Sequence, residues 1–355
     1  MSELKQKLTL SGLTMIAVGS CIGAGIFVTP YQIVQALPHQ GWVLVVWILG
    51  GLIALTGALT FAELGARFPQ AGGVYVFLKE AYGDWVGFIY GWVILLVINT
   101  GALAALGLAL AEYMTYFVGL GEQEKLLLAI VIIAGLTGIN ILGVQTSQVL
   151  AKLFTGLKLV AMVVIVGIGI FYFDAEKVPM AFALNENLPE NIGSALLVAL
   201  IGVLWSFGGW HHASYLAAET IDAKRTVPRA MILGATIVTI IYVLINLAYM
   251  LLLPLDAIAG TTKVAGEAVG SVFAFGGKFV AIVIAISIFG TISIYTMSAP
   301  RIYYAMARDG IFFEMLSRVH PRFRTPANAM LLQAAWAIVL LLFWGTFHDL
   351  ITYVT

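Results

Sequence analysis

The chain has 355 residues, 61% of them hydrophobic and only 10% charged, with zero formal net charge and a mean hydropathy of +1.00. Soluble domains carry about 25% charged residues, so water is excluded as the main solvent, and the neutral balance argues against a nucleic-acid partner. The lone cysteine, Cys21, excludes an intrachain disulfide and a cysteine-rich metal site.

Apolar runs of the roughly 20 residues needed to cross a hydrocarbon core recur along almost the whole sequence. Nine spans are predicted, at about 9–34, 42–68, 85–117, 125–142, 146–173, 193–218, 228–253, 275–307 and 327–347. A tenth begins near Asp349, so the sequence reads as truncated at the start of helix 10. Of the 18 Lys and Arg, thirteen fall on the side of the N-terminus, only Lys125, Lys177, Lys263 and Lys278 fall on the other, and Lys158 lies within a span. That asymmetry predicts a cytoplasmic N-terminus. No stretch between spans is longer than a loop, so residues 1–355 read as one integral membrane domain.

The first span holds Gly19-Ser20-Cys21-Ile22-Gly23-Ala24-Gly25-Ile26-Phe27, three glycines in seven residues where a helix should be most regular. The sixth repeats the oddity at Trp205-Ser206-Phe207-Gly208-Gly209-Trp210. Small residues at these spacings also let membrane helices approach closely. Five spans separate the starts of the two clusters, however, which is the spacing of an inverted repeat of five helices plus five. Broken helices at membrane depth are tolerated where their freed backbone groups face protein or a wet cavity. There, half-helix N–H groups attract a carboxylate and stranded carbonyls accept from an ammonium.

Lys158 sits in mid-span on the fifth helix, where a lysine costs roughly 2.5 to 3.5 kcal/mol and calls for a partner and a role. The alternative, a lysine snorkelling to the interface, is disfavoured by its depth. On the eighth span Ser293 lies with Thr291; such hydroxyls usually bond the preceding turn, and a role for Ser293 near Lys158 is expected only from the family resemblance given below. His211 and His212 point in different directions on a helix and make a poor metal pair, so vestibule lining is preferred and no metal is expected. Glu63 and Arg67, one turn apart, read as a structural ion pair. No nucleotide-binding loop, zinc-protease motif or serine elbow is present, so neither an enzyme nor a cofactor is expected.

Taken together, Ile22-Gly23-Ala24-Gly25-Ile26-Phe27, Ala62-Glu63-Leu64-Gly65 with Phe68-Pro69, Gly72-Gly73-Val74-Tyr75 leading into Glu80-Ala81-Tyr82-Gly83, Phe207-Gly208-Gly209-Trp210, Glu219, Pro228-Arg229-Ala230 and Ala307-Arg308-Asp309-Gly310 resemble, in order, the amino acid, polyamine and organocation superfamily. Within it the chain resembles the L-type amino acid transporter family. The resemblance implies an all-helical bundle of five-plus-five inverted helices with helices 1 and 6 broken. The first repeat would cover about 9–173 and an incomplete second about 193–355. It implies alternating access in the cell (plasma or inner) membrane. A substrate carboxylate would meet N–H groups of Gly23, Ala24 and Gly25, with Ser20 and Cys21 close by. The ammonium would meet carbonyls at Trp205, Ser206 and Gly208, under Trp205 as an aromatic gate. Lys158 matches the family's helix 5 lysine, which stands in for sodium.

The function so implied is sodium-independent exchange of small to medium neutral L-amino acids. A proton-coupled amino acid or amine symporter, and a non-transporting sensor or assembly subunit of the same fold, remain the alternatives. Three departures stand out. The family has twelve helices and this chain ends as the tenth begins; Ala24 stands where serine is frequent; and the 119–125 loop lacks the cysteine by which animal members attach to a glycoprotein. A prokaryotic protein without a disulfide-linked heavy chain is expected.

Overall fold

The structure is a computed structural model that describes residues 4–180, 182–184, 191–344 and 350. Its helices, in chain order, are α1 (Leu10–Cys21), α2 (Gly25–Ala36), α3 (Gln40–Arg67), α4 (Val74–Tyr82), α5 (Asp84–Val93), α6 (Asn99–Met114), α7 (Glu122–Ile141), α8 (Val144–Phe171), α9 (Ile192–Ser206), α10 (His212–Tyr215), α11 (Ala223–Leu252), α12 (Leu255–Ala259), α13 (Val264–Gly270), α14 (Gly276–Ser298), α15 (Pro300–Arg308) and α16 (Ala327–Trp344). Among the described residues there is no strand, only a parallel bridge between Leu8 and Thr220.

Seven stretches of described helix are long and apolar enough to cross a membrane: α3, α5 through α6, α7, α8, α11, α14 through α15, and α16. The pair α1 and α2, bent by 44°, makes an eighth, and α9 is a shorter apolar helix of 15 residues. The protein is a multi-pass helical membrane protein. Large apolar side chains such as Leu52, Val160, Val163, Ile201 and Leu342 point outward with more than half their surface exposed. A hydrocarbon environment, not water, suits such a surface.

The helices stack on small-residue seams, as membrane helices do when no hydrophobic force drives them together. A Cβ at Gly51 of α3 would lie 2.2 Å from Thr239 of α11. One at Gly234 of α11 would lie 2.7 Å from Ala17 of α1, and one at Gly169 of α8 would lie 2.8 Å from Ala248 of α11. Most glycines of the bundle thus serve close packing.

The sixth span, expected at about 193–218 with an interruption at 205–210, is helix to Ser206 and stops before the Gly208-Gly209 pair. Two features depart from the sequence expectation. The third span carries a π-helical turn, Ile94–Ile98, and the Leu96 carbonyl accepts from the Trp336 indole of α16. Short helices α4, α12 and α13 occupy stretches expected to be loops; α4 is launched by Gly72 and Gly73, both at positive φ (104° and 47°). A Cβ at Gly73 would lie 2.3 Å from Ser214 Oγ, so the turn wedges directly against α10. The predicted tenth span lies almost entirely outside the described residues.

Candidate functional site

The first break lies between α1 and α2. Helix α1 closes with the Ile22 N–H donating to the Val18 carbonyl at 3.0 Å, the Gly23 N–H donates to the Cys21 carbonyl at 2.8 Å, and helix resumes at Gly25. The last carbonyls of α1 and the first N–H groups of α2 lose their helical partners here. On the carbonyl side, side chains replace them. The Gly19 oxygen accepts from Lys158 Nζ (2.9 Å) and Thr291 Oγ1 (3.1 Å). The Ile22 oxygen accepts from Lys158 Nζ (2.7 Å) and Ser287 Oγ (2.9 Å), and the Cys21 oxygen from the Tyr242 hydroxyl (3.0 Å). On the N–H side no side chain caps α2, and Gly23 and Ala24 remain partly accessible. The positive end of a helix dipole is therefore left without a side-chain partner.

The second break follows α9. Its end is tightened by Gly208 N–H donating to the Trp205 carbonyl at 3.2 Å, and Gly209 turns the chain at φ 125° into α10. The two breaks touch. Ser20 Oγ donates to the Gly209 carbonyl (2.8 Å), Thr29 and Ser206 share a hydroxyl bond (2.9 Å), and the Tyr242 phenol lies within bonding distance of both the Cys21 and Ser206 carbonyls (3.0 and 3.1 Å). A Cβ at Gly25 would meet Trp205 Cζ3 at 3.1 Å and Ser206 Oγ at 3.2 Å. The Trp205 indole thus stands beside the N-terminus of α2 with 53% of its surface exposed, and Gly208 is exposed beside it. Of the residues expected at a site, Gly23, Ala24, Gly25, Trp205 and Gly208 border accessible space or the α2 terminus. Ser20 and Ser206 are buried, and their hydroxyls are used to tie the two breaks together. Cys21 is a buried free thiol.

Lys158 is 1% exposed, and its three ammonium donors map onto three acceptors, the Gly19 and Ile22 carbonyls and Thr291 Oγ1. Its stem passes over Gly290, where a Cβ would come within 3.2 Å of Lys158 Cε. Ser293 is not its partner. Two positions along α14 from Thr291, Ser293 faces α7 instead, where Asn140 Nδ2 donates to its carbonyl (3.0 Å) and weakly to its hydroxyl (3.4 Å).

The histidines flank the second break. His212 is buried, shares a 2.6 Å hydrogen bond with Ser298 and stacks on Tyr295 at 4.3 Å, while His211 contacts the Trp210 and Tyr215 rings. Among the described residues no group of His, Cys, Asp and Glu could hold a metal ion. Glu63 and Arg67 form an exposed ion pair at 2.5 Å. Arg301, counted above with the N-terminal-face cations, is instead fully buried in a bidentate pair with Glu219 (2.7 and 2.9 Å), and it also donates to the Met297 carbonyl. Lys79 on α4, outside the spans, pairs with Asp309 at 2.8 Å; that hydrogen bond holds its ammonium above the usual lysine range, and Tyr75 donates to the same carboxylate at 2.7 Å.

Sequence reasoning missed Tyr242, Ser287, Thr29 and the Glu219–Arg301 pair. A signal for two of these existed: Ser287 and Thr291 lie four apart on the eighth span, and Tyr242 and Asn246 four apart on the seventh, each a polar stripe in an apolar helix.

Two interrupted helices meeting inside a multi-pass bundle, with the uncapped N-terminus of α2 at their junction, are the arrangement of a solute-transporter fold. A solved structure of Mhp1, a nucleobase-cation-symport-1 family transporter, matches with a TM-score of 0.56 over 96% of this chain and 73% of that one, at 16% identity, a likeness of fold alone. The amino acid permease family model matches residues 8–354. The serine/threonine exchanger SteT of Bacillus subtilis (strain 168) is 33% identical over 347 residues, covering 96% of this chain and 77% of that protein. The large neutral amino acids transporter small subunit 2 of Homo sapiens is 32% identical over 367 residues, covering 99% and 66%. The chain belongs to the amino acid permease family, within the amino acid, polyamine and organocation superfamily.

Proposed function

We propose that this protein is a sodium-independent amino acid transporter that exchanges small to medium neutral L-amino acids by alternating access. The observation that carries the reading is the uncapped N-terminus of α2 set beside the C-terminal end of α9. A helix N-terminus carries roughly +0.5 charge and a C-terminus roughly −0.5, so the pair presents opposite partial charges side by side, the complement of a zwitterion. The carboxylate meets Gly23, Ala24 and Gly25; the ammonium meets carbonyls of Trp205, Ser206 and Gly208; Trp205 closes over the bound solute from its place beside Gly25. The names of the two relatives, one a serine/threonine exchanger and one a neutral amino acid transporter subunit, support the substrate class.

Lys158 supplies the fixed positive charge at the first break, with its three donors already placed on the carbonyls and hydroxyl that a cation would otherwise seek. In this reading the two structural halves are about 9–173 and 193–355, each opening on a broken helix. The N-terminal face is cytoplasmic, the membrane is the cell membrane, and no disulfide-linked heavy chain is needed. Counterflow in proteoliposomes tests the proposal. Internal unlabelled L-threonine or L-leucine is expected to drive uptake of the labelled amino acid without sodium, and uptake equal to that of protein-free liposomes across the neutral amino acids would refute it. A second reading, proton-coupled symport, is favoured by a buried lysine whose bonds are to neutral groups; net accumulation driven by an imposed pH gradient would select it.

A further inference from the structure

Beyond the second break the chain continues as α10, which begins at His212 and packs against α1, α11 and α14. Among the described residues one side-chain hydrogen bond joins α10 to α14, that of His212 Nδ1 with Ser298 Oγ at 2.6 Å. Its polarity follows from a count of hydrogens. A hydroxyl has one, and Ser298 Oγ donates it to the Ile294 carbonyl of its own helix at 2.7 Å. Ser298 Oγ therefore accepts from His212, so Nδ1 carries the imidazole hydrogen. Nε2 keeps a lone pair, with no hydrogen-bond partner among the described residues. The ring also lies flat on Tyr295 of α14, 4.3 Å away and 17° from parallel.

A proton added at Nε2 finds no counter-charge. On its own segment the ring meets His211 and Tyr215, and Tyr215 shares its hydroxyl bond with Tyr90 of α5. From α14 it meets Tyr295. Helix α1 contributes only the Cys21 thiol, and α11 the buried Tyr242, its cations Lys224, Arg225 and Arg229 being exposed. Lys158 of α8 is a further cation, bonded to the first break. The nearest buried carboxylate, Glu219, has both oxygens engaged by Arg301. An imidazolium between α10 and α14 is thus a buried, unpaired charge, and its cost is relieved when α10 leaves α14 and water reaches the ring. We propose that His212 is a proton-binding site whose occupancy releases α10 from α14, so that acid favours the arrangement in which the first break is open on the side of α10. That such an opening belongs to a transport cycle rests on the proposed function above; the proton site does not.

The test uses the chain's single thiol. Cys21 is buried, and Gly209 packs on its backbone, where an added Cβ would lie 2.9 Å from the Cys21 nitrogen, so departure of α10 uncovers the thiol. The rate of maleimide labelling of the full chain in lipid nanodiscs is measured at about pH 7.5 and about pH 5.5, on either side of the ordinary imidazole titration. Each rate is divided by that of SDS-unfolded protein at the same pH, which removes the thiol's own titration. The wild-type ratio is expected to rise about five- to tenfold on acidification, tenfold corresponding to one unit of differential proton affinity. His212→Asn keeps an N–H for Ser298 but takes up no proton, and its ratio should stay within about twofold. His212→Gln decides if His212→Asn does not fold. His211→Asn should respond as wild type does. A wild-type ratio that is flat or falls with acid overturns the proposal, as does a rise that survives in the folded His212 variant. Threonine counterflow, measured separately, keeps the two readings apart: no counterflow with the pH response intact defeats exchange and supports the proton site, while counterflow with no pH response defeats the proton site alone.

Discussion

Gly208 and Gly209 are adjacent in the sequence and make opposite demands on the structure, which allows a sharp comparison. At Gly209 the backbone sits at φ 125°, and an added Cβ would lie 2.5 Å from the Ser20 carbonyl oxygen and 2.9 Å from the Cys21 nitrogen. These are main-chain atoms of the first break and cannot swing aside. A side chain in this backbone region costs about 1–3 kcal/mol and overpacking about 1–3 kcal/mol more, so Gly209→Ala should destabilise by roughly 2–6 kcal/mol. At Gly208 the φ is ordinary, and the nearest contact of a new Cβ is the Trp205 carbonyl at 3.3 Å, which needs a shift of only a few tenths of an ångström. Thermal unfolding of the purified variants in detergent is the assay. Gly209→Ala should lose roughly 5 °C or more, with Ser20 and Gly209 no longer able to bond, while Gly208→Ala should stay within about 2 °C of wild type. Equal midpoints for the two variants would refute the claim that the two breaks are pressed together at Gly209.

Three further outcomes follow from the side-chain geometry. Thr291→Ala removes one of the three Lys158 acceptors, a loss of about 0.5–1.5 kcal/mol, and should lower exchange by roughly 2- to 10-fold, while Ser293→Ala should leave it within about twofold; the reverse order in a proteoliposome uptake assay would place the lysine differently. Arg301→Met strands the buried Glu219 carboxylate and should cost about 3–5 kcal/mol, whereas Glu219→Leu with Arg301→Met should recover more than half of the lost thermal stability, because two apolar groups replace the pair without leaving a charge behind. The Lys79–Asp309 contact is partly exposed and worth at most about 1 kcal/mol. Because the folded-state pKa of Lys79 is raised, that stabilisation is complete at neutral pH and is lost as pH rises through the raised value, above the ordinary 10.5; the melting temperatures of wild type and Asp309→Asn should therefore differ at pH 8 and converge at strongly alkaline pH.

The spans and the positions of both breaks could be read from the sequence because they rest on local composition: apolar runs set the helices, and glycine clusters at 23–25 and 208–209 interrupt them. Lys158 stood out for the same reason, as a single charge in an apolar helix. What could not be read depended on register between helices. Thr291 and Ser293 are equally good hydroxyls on one helix, and the choice between them is made by the rotation of α14 against α8, where Gly290 leaves room for the lysine stem. Tyr242 looks like one more core aromatic until α11 packs along α3 and places its phenol between the carbonyls of Cys21 and Ser206. Glu219 and Arg301 are 82 residues apart, and no spacing rule joins them. Arg301 also shows the limit of charge counting: a cation near a span end reads as loop-facing, although its guanidinium is turned inward by a buried carboxylate.

The central claim is that the dipoles of α2 and α9 hold the two charges of a zwitterion, and competition against labelled L-leucine in proteoliposomes tests it most directly. L-leucine is expected to compete fully, while leucinamide, which lacks the carboxylate, and 4-methylpentanoate, which lacks the ammonium, are expected to fail at concentrations about 100-fold higher, since losing a hydrogen-bonded charge from such a site costs several kcal/mol. Competition by either analogue at the concentration that suffices for L-leucine would contradict it.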